Sequence, residues 1–301
     1  MPSFWENPIA FIAEWLRSVL AGWGVPAEGT SFILALLGAF TIALLAMLFT
    51  IFLIWYERKL LGRIQDRLGP NRVGPWGIFQ SFADMLKIFT KEYITPDGAD
   101  VVPYNLAPVL SVAAVLLLWA VLPFTSNIVG VDLEVGLLYV IAVGGFSEIS
   151  IMLAGLGSNN KYALLGGFRA VAMLVSYEVP MVISLLVVAM LAGSLNLMDI
   201  VNAQVVPFIL LAPVAAFIYF ITQIAESGRS PFDVVEAESE LVAGFMTEYS
   251  GLKFGMFYVA DFLHAFTGPM LFSTLFLGGW RGPWAEQVPL LGLVYLVIKT
   301  F

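Results

Sequence analysis

The sequence has no cysteine and a single histidine, His264. Iron–sulfur clusters are held by thiolates and a transmembrane haem commonly needs paired imidazoles, so the chain carries no electrons by itself and binds no cofactor alone. No glycine-rich phosphate loop follows a strand, which argues against a nucleotide site. Charge is also scarce. Only 12% of the 301 residues are Asp, Glu, Lys or Arg, against 60% hydrophobic residues and a mean hydropathy of +0.91, well outside the range of soluble chains. The net charge of −8 comes largely from one acidic loop, and nothing in it points to nucleic acid.

What is abundant is long apolar sequence. Runs near the roughly 20 residues that cross ~30 Å of hydrocarbon occur at about 32–56, 102–123, 134–156, 170–193, 205–225, 252–279 and from 289 onward. This pattern reads as an all-α, polytopic transmembrane protein of about seven spans, with one integral membrane domain over 31–301. The last run stops at Lys299-Thr-Phe301, and the expectation is that the natural chain continues through at least part of another span. Residues 1–30 carry Trp5, Phe11, Trp15 and Trp23 among Glu14 and Arg17, before Pro26 and Gly29. They read as an interfacial helix, lacking the basic start and short apolar core of a signal peptide.

Orientation follows from the basic residues. Segments 57–100, 157–169 and 226–253 hold eleven of the fourteen Lys and Arg, while 124–133 and 194–204 hold none. The first three are therefore expected on the cytoplasmic side, and the N-terminus opposite.

Four features on or near that side carry chemistry. After the first span, Glu57 is followed by Arg58, Lys59, Arg63, Arg67 and Arg72, the last two within the glycine- and proline-rich turn Arg67-Leu-Gly-Pro-Asn-Arg-Val-Gly-Pro75. Lipid-headgroup anchoring and a specific docking role both fit these cations. Next, Phe79, Phe82, Leu86 and Phe89 recur at helical spacing, with Gln80, Asp84, Lys87 and Lys91 on the other side, an amphipathic helix suited to the membrane plane. Third, Glu148, Glu178 and Asp261 fall within three spans at similar distances from their cytoplasmic ends, roughly 10–14 Å deep at ~1.5 Å per residue. Intramembrane acids are costly and usually functional, and three at one depth suggest one polar compartment. His264 lies one turn beyond Asp261, within reach of a hydrogen bond, and Pro180 frees a carbonyl near Glu178. Last, residues 225–249 hold Glu226, Asp233, Glu236, Glu238, Glu240 and Glu248, with few cations nearby. A solvated cap and a proton path both fit. If the stretch after Pro231 is helical, Asp233, Glu236 and Glu240 share a stripe and bind protons as a coupled set.

These motifs, together with Ser158-Asn-Asn-Lys-Tyr162, Arg169, Ser176-Tyr-Glu178, Ser230-Pro-Phe-Asp233, Glu236-x-Glu238-x-Glu240-Leu and Glu248-Tyr249, resemble the H subunit of bacterial NADH:quinone oxidoreductase, the counterpart of subunit 1 of respiratory complex I. The resemblance covers roughly 34–301, in order and at family spacing. It implies an eight-helix component of a translocase in the bacterial cytoplasmic membrane, surrounded by lipid. By the same resemblance it joins a hydrophilic arm to a membrane arm and forms the tunnel that admits ubiquinone or menaquinone as substrate. Partner subunits would hold the FMN, the terminal iron–sulfur cluster and the headgroup contacts, and small membrane subunits would lead to antiporter-like ones. The family's acidic funnel maps onto Glu178, Glu226, Asp233, Glu236, Glu238, Glu240 and Glu248. Its quinone chamber or arm-docking surface maps onto Glu57, Arg58, Arg63, Arg67, Arg72, Asp84, Lys87 and Arg169. Asp261-Phe262 stands where the family usually has Glu-Tyr, and Glu148 where it is commonly apolar. Two other readings are the corresponding component of a membrane-bound hydrogenase or ferredoxin-dependent pump, and a free-standing ion transporter, which would call for internal repeats.

Overall fold

The computed structural model describes residues 8–22, 24, 26–233, 238–285 and 288–301. Trp5, Trp23 and Glu236 lie outside the described residues, and Glu238 is described for its backbone alone. The described residues form twelve α-helices with two 3-10 turns and no strand: α1 Pro8–Gly22, α2 Ala27–Ile64, α3 Gln80–Thr90, α4 Val101–Val121, α5 Gly136–Gly157, α6 Lys161–Ala192, α7 Leu197–Ala203, α8 Phe208–Leu211, α9 Pro213–Glu226, α10 Glu238–Leu241, α11 Gly251–Phe276 and α12 Pro289–Thr300. Helices α2, α4, α5 and α6 are each long and apolar enough to cross a membrane. α11 adds 26 residues, and α9 and α12 are shorter apolar helices. Helices are the form in which a spanning segment satisfies its backbone groups without water, and with four such helices the chain is an all-α polytopic membrane protein.

The helices extend past their apolar runs. α2 continues to Ile64, so Glu57, Arg58 and Arg63 ride on its last two turns rather than in a loop. α6 begins at Lys161, where Asn160 caps it by accepting the Tyr162 N–H at 2.8 Å, so Arg169 is helical too. The run at 205–225 is not continuous. Pro213 has no N–H and disfavours helical geometry in the residue before it, and the chain breaks at Ala212 (φ −132°, ψ 62°) between α8 and α9.

Helix packing creates the interior that matters. α4 packs on α5, α5 on α6, α6 on α9, α9 on α11 and α11 on α4, which closes a ring of five helices. α12 contacts this ring through α11, and α2 through α11 and α4, while Phe32, Leu36, Phe40, Leu44 and Leu48 of α2 remain exposed, the apolar face expected towards lipid. The segment around Gly244 is tied to the ring at close range. A Cβ on Gly166 would lie 2.7 Å from Gly244 Cα and 2.8 Å from its carbonyl carbon, backbone atoms that cannot swing away. Gly166→Ala is expected to lower stability by ~1–3 kcal/mol, read as a lower unfolding temperature of the detergent-solubilised assembly.

A second tie follows from a proline. Pro108 within α4 lacks the N–H that would bond the carbonyl of Tyr104. The hydroxyl of Tyr249 takes its place, donating to that carbonyl at 3.1 Å. Tyr104 returns the bond by donating to the Glu248 carbonyl at 2.8 Å, and the two rings stack at 4.3 Å and 5°. Burial, with Tyr104 beside it, pushes the Tyr249 phenol up from its ordinary value, so it stays a neutral donor at physiological pH.

Candidate proton and quinone site

The ring encloses polar space. A cavity of about 340 Å³ at its loop-side end is lined by Glu148, Glu226, Arg229, Asp233, Asp261 and His264, with Ser111 and Ser147 adding hydroxyls. A narrower cavity of about 40 Å³ continues between the helices and is lined by Glu148, Glu178, Gln223, Glu226 and His264, with room for a few waters. The two cavities share Glu148, Glu226 and His264. Each group arrives from a different helix: Glu148 from α5, Glu226 from the end of α9 and His264 from α11.

A third cavity of about 370 Å³, lateral to the ring among α2, α11 and α12, is mostly apolar, lined by Leu53, Tyr56, Phe262, Phe266, Pro269 and the last residue, Phe301, with Glu57 and Arg229 as its charged lining. Arg229 lines both this space and the loop-side cavity. Its guanidinium donates to Asp261 at 3.1 Å, sits 3.9 Å from Glu57 and lies 5.5 Å from the centre of the Phe262 ring, within cation–π range. The residue that could be paired with Asp261 from sequence spacing was His264. The structure gives Asp261 to Arg229 instead, and His264 Nε2 is buried without a hydrogen-bond partner.

The acidic loop is divided rather than continuous. Residues 231–233 are not helical and Glu236 lies outside the described residues, so of the expected stripe only Asp233 and Glu240 are placed, against different partners. Asp233 lines the loop-side cavity. Glu240 is exposed and ion-paired with Arg169 of α6. Glu248 accepts a hydrogen bond from Asn160 Nδ2 at 2.5 Å, again outside the cavity lining. Of the intramembrane acids, Glu178 lines only the narrow cavity, Asp261 only the loop-side one, and Glu148 both.

The basic turn is built by close backbone approach. Arg67 N–H donates to the Gly62 carbonyl at 2.8 Å, and a Cβ on Gly62 would meet Gly69 N at 2.8 Å, which requires glycine there. Arg63, Arg67 and Arg72 are exposed, Arg67 bonding Gln65 at 2.7 Å, and none lines the three cavities. Asp84 of α3 instead accepts from Arg58 at 2.5 Å and lies 3.8 Å from Lys87, locking α3 to the end of α2. Phe79, Phe82, Leu86 and Phe89 are left exposed together. Sequence reading missed one cation: Lys253 is buried, its Nζ without a hydrogen-bond partner but 4.2 Å and 4.1 Å from the ring centres of Tyr93 and Tyr104. Both tyrosines are distant in the chain and meet Lys253 only through the fold. Among the described residues, no group of three or more His, Asp or Glu could hold a metal ion.

Comparison with known proteins places this architecture. Residues 37–301 match the family described as NADH dehydrogenase. The chain is 50% identical over 235 residues to the H subunit of NADH-quinone oxidoreductase from Dehalococcoides mccartyi strain CBDB1, covering 78% of this chain and 67% of that protein. It is 45% identical over 279 residues to the H subunit from Carboxydothermus hydrogenoformans, covering 92% and 80%, and 45% identical over 276 residues to that from Anoxybacillus flavithermus, covering 91% and 79%. With five helices ringing an acid-lined interior and a match that spans nearly all of them, the chain belongs to the NADH dehydrogenase family, that of the H subunit of NADH-quinone oxidoreductase.

Proposed function

We propose that this protein forms the quinone access chamber of a proton-translocating NADH:quinone oxidoreductase and the acidic path that couples quinone reduction to ion movement. The observation that carries this reading is continuity: an apolar lateral cavity, a loop-side acidic cavity and an intramembrane acidic cavity follow one another, sharing Arg229 at the first junction and Glu148, Glu226 and His264 at the second. The lateral cavity suits an isoprenoid tail, with Arg229 and Glu57 at the end where a polar headgroup would pass. Reduction of a quinone creates negative charge that protons must neutralise. A water-accessible row of carboxylates titrating as a coupled set transmits that demand inward.

In this reading the assembly sits in a bacterial cytoplasmic membrane. The hydrophilic arm, bearing FMN and the terminal iron–sulfur cluster, docks on the exposed cations Arg63, Arg67 and Arg72, and small membrane subunits lead from Glu178 towards antiporter-like ones. The exposed apolar side of α3 lies in the membrane plane. The names of the relatives favour the quinone enzyme over a hydrogenase-type pump.

Membrane vesicles assayed for donor:quinone turnover and proton uptake together test this. Glu178→Gln and Glu148→Gln are each expected to lower proton uptake at least about tenfold, below the usual cost of losing a positioned proton-transfer group, with the complex intact on native gels. Glu148 is included on its geometry, although the family resemblance gave it no support. Wild-type uptake in both variants would remove the proton path from the membrane interior.

A further inference from the structure

His264 is the chain's one imidazole, and the acidic path as drawn from carboxylates does not use it. Three observations single it out. It lines both the loop-side and the intramembrane cavity. Its Nε2 is shielded from solvent and has no hydrogen-bond partner, a costly state for a buried polar atom unless a transient partner supplies the bond. The charged and titratable groups around the two cavities come from every surrounding element: Glu148 on α5, Glu178 on α6, Glu226 on α9, Arg229 and Asp233 on the following loop, and Asp261 on its own helix. Arg229 already holds Asp261, so the loop-side carboxylate nearest in sequence is occupied, leaving the imidazole to the cavity interior.

We infer that His264 is a proton-carrying group at the junction, passing protons between the loop-side acids and the Glu148–Glu178 side of the path. The chemistry balances on one residue. A carboxylic acid on one side, directly or through a water, gives its proton to one ring nitrogen and becomes a carboxylate. The imidazolium then releases a proton from the other ring nitrogen to a carboxylate on the far side, and the neutral ring returns as the opposite tautomer. Imidazole is suited to this because its two nitrogens separate acceptance from release, whereas a carboxylate between two others would repel both. This inference rests on the acidic path proposed above.

The test uses the assembled complex in sealed vesicles, with quinone turnover and proton uptake followed from pH 5.5 to 8.5. His264→Asn keeps a polar side chain but holds no exchangeable charge. It is expected to assemble, to lose at least about tenfold in proton uptake, below the usual cost of losing a positioned proton-transfer group, and to change the pH profile of uptake. His264→Ala opens space beside the cavity, and added imidazole is expected to restore part of its uptake. A structural role predicts instead that both variants fail to assemble or that imidazole restores nothing. If Glu178→Gln abolishes uptake while His264→Asn keeps wild-type uptake and pH profile, the acidic path stands and the histidine's role is overturned. If neither variant changes uptake, the path itself fails.

Discussion

Arg229→Gln is expected to lower quinone turnover and proton uptake together by about tenfold or more, each tenfold corresponding to ~1.4 kcal/mol of barrier. Arg229 is the group common to the lateral and loop-side cavities, and its removal leaves Asp261 and Glu57 facing one another without the cation between them. The side chain is 41% exposed, so solvent screening keeps the cost below that of breaking a fully buried pair. Arg229→Lys restores the charge but not the planar fork that reaches both acids, and should fall between the two. Vesicle assays at matched complex content, set by native gels, distinguish this from loss of assembly. Wild-type turnover in Arg229→Gln would remove the arginine from the junction.

Much of this architecture was readable in the chain. Of the seven expected spans, apolar length located the four helices long enough to cross a membrane, and the acids within the helices marked the compartment, because both signals are local: lipid imposes length, and desolvation makes a buried carboxylate rare. The limits were also physical. An apolar run does not show that Pro213 divides it, or that α2 and α6 continue about two turns past their apolar runs with cations on board. Helical spacing paired His264 with Asp261 because they share a helix, yet Arg229, 32 residues away in the chain, takes the carboxylate. The stripe expected of the acidic loop started from a helix directly after Pro231, whereas residues 231–233 are not helical; Asp233 lines the loop-side cavity and Glu240 pairs with Arg169. Lys253 between Tyr93 and Tyr104 left no mark in the sequence, since its aromatic partners come from a segment far earlier in the chain.

That division of the loop carries its own consequence. Glu226→Gln is expected to cut proton uptake at least about a hundredfold, within the range for a positioned proton donor or acceptor, because Glu226 lines both acidic cavities at the mouth of the narrow one. Glu240→Gln breaks only an exposed pair with Arg169, the kind worth at most about 1 kcal/mol, so uptake should fall less than about fivefold. Because Asp233 and Glu240 do not share a cavity, the losses from Asp233→Asn and Glu240→Gln should add, as independent sites do. Comparable losses in Glu226→Gln and Glu240→Gln would return the whole loop to a single functional unit.

The central claim is that one path joins the loop-side acids to the membrane interior, and a double-mutant cycle tests it most directly. Protons taken up per quinone reduced would be measured in vesicles for Glu178→Gln, Glu226→Gln and the pair. Two stations on one path interrupt the same flow, so the double variant should lose no more than the worse single one, a strong departure from additivity. Losses that multiply, each variant cutting the remaining uptake by its own factor, would mean that the two carboxylates serve separate routes and would contradict a continuous path.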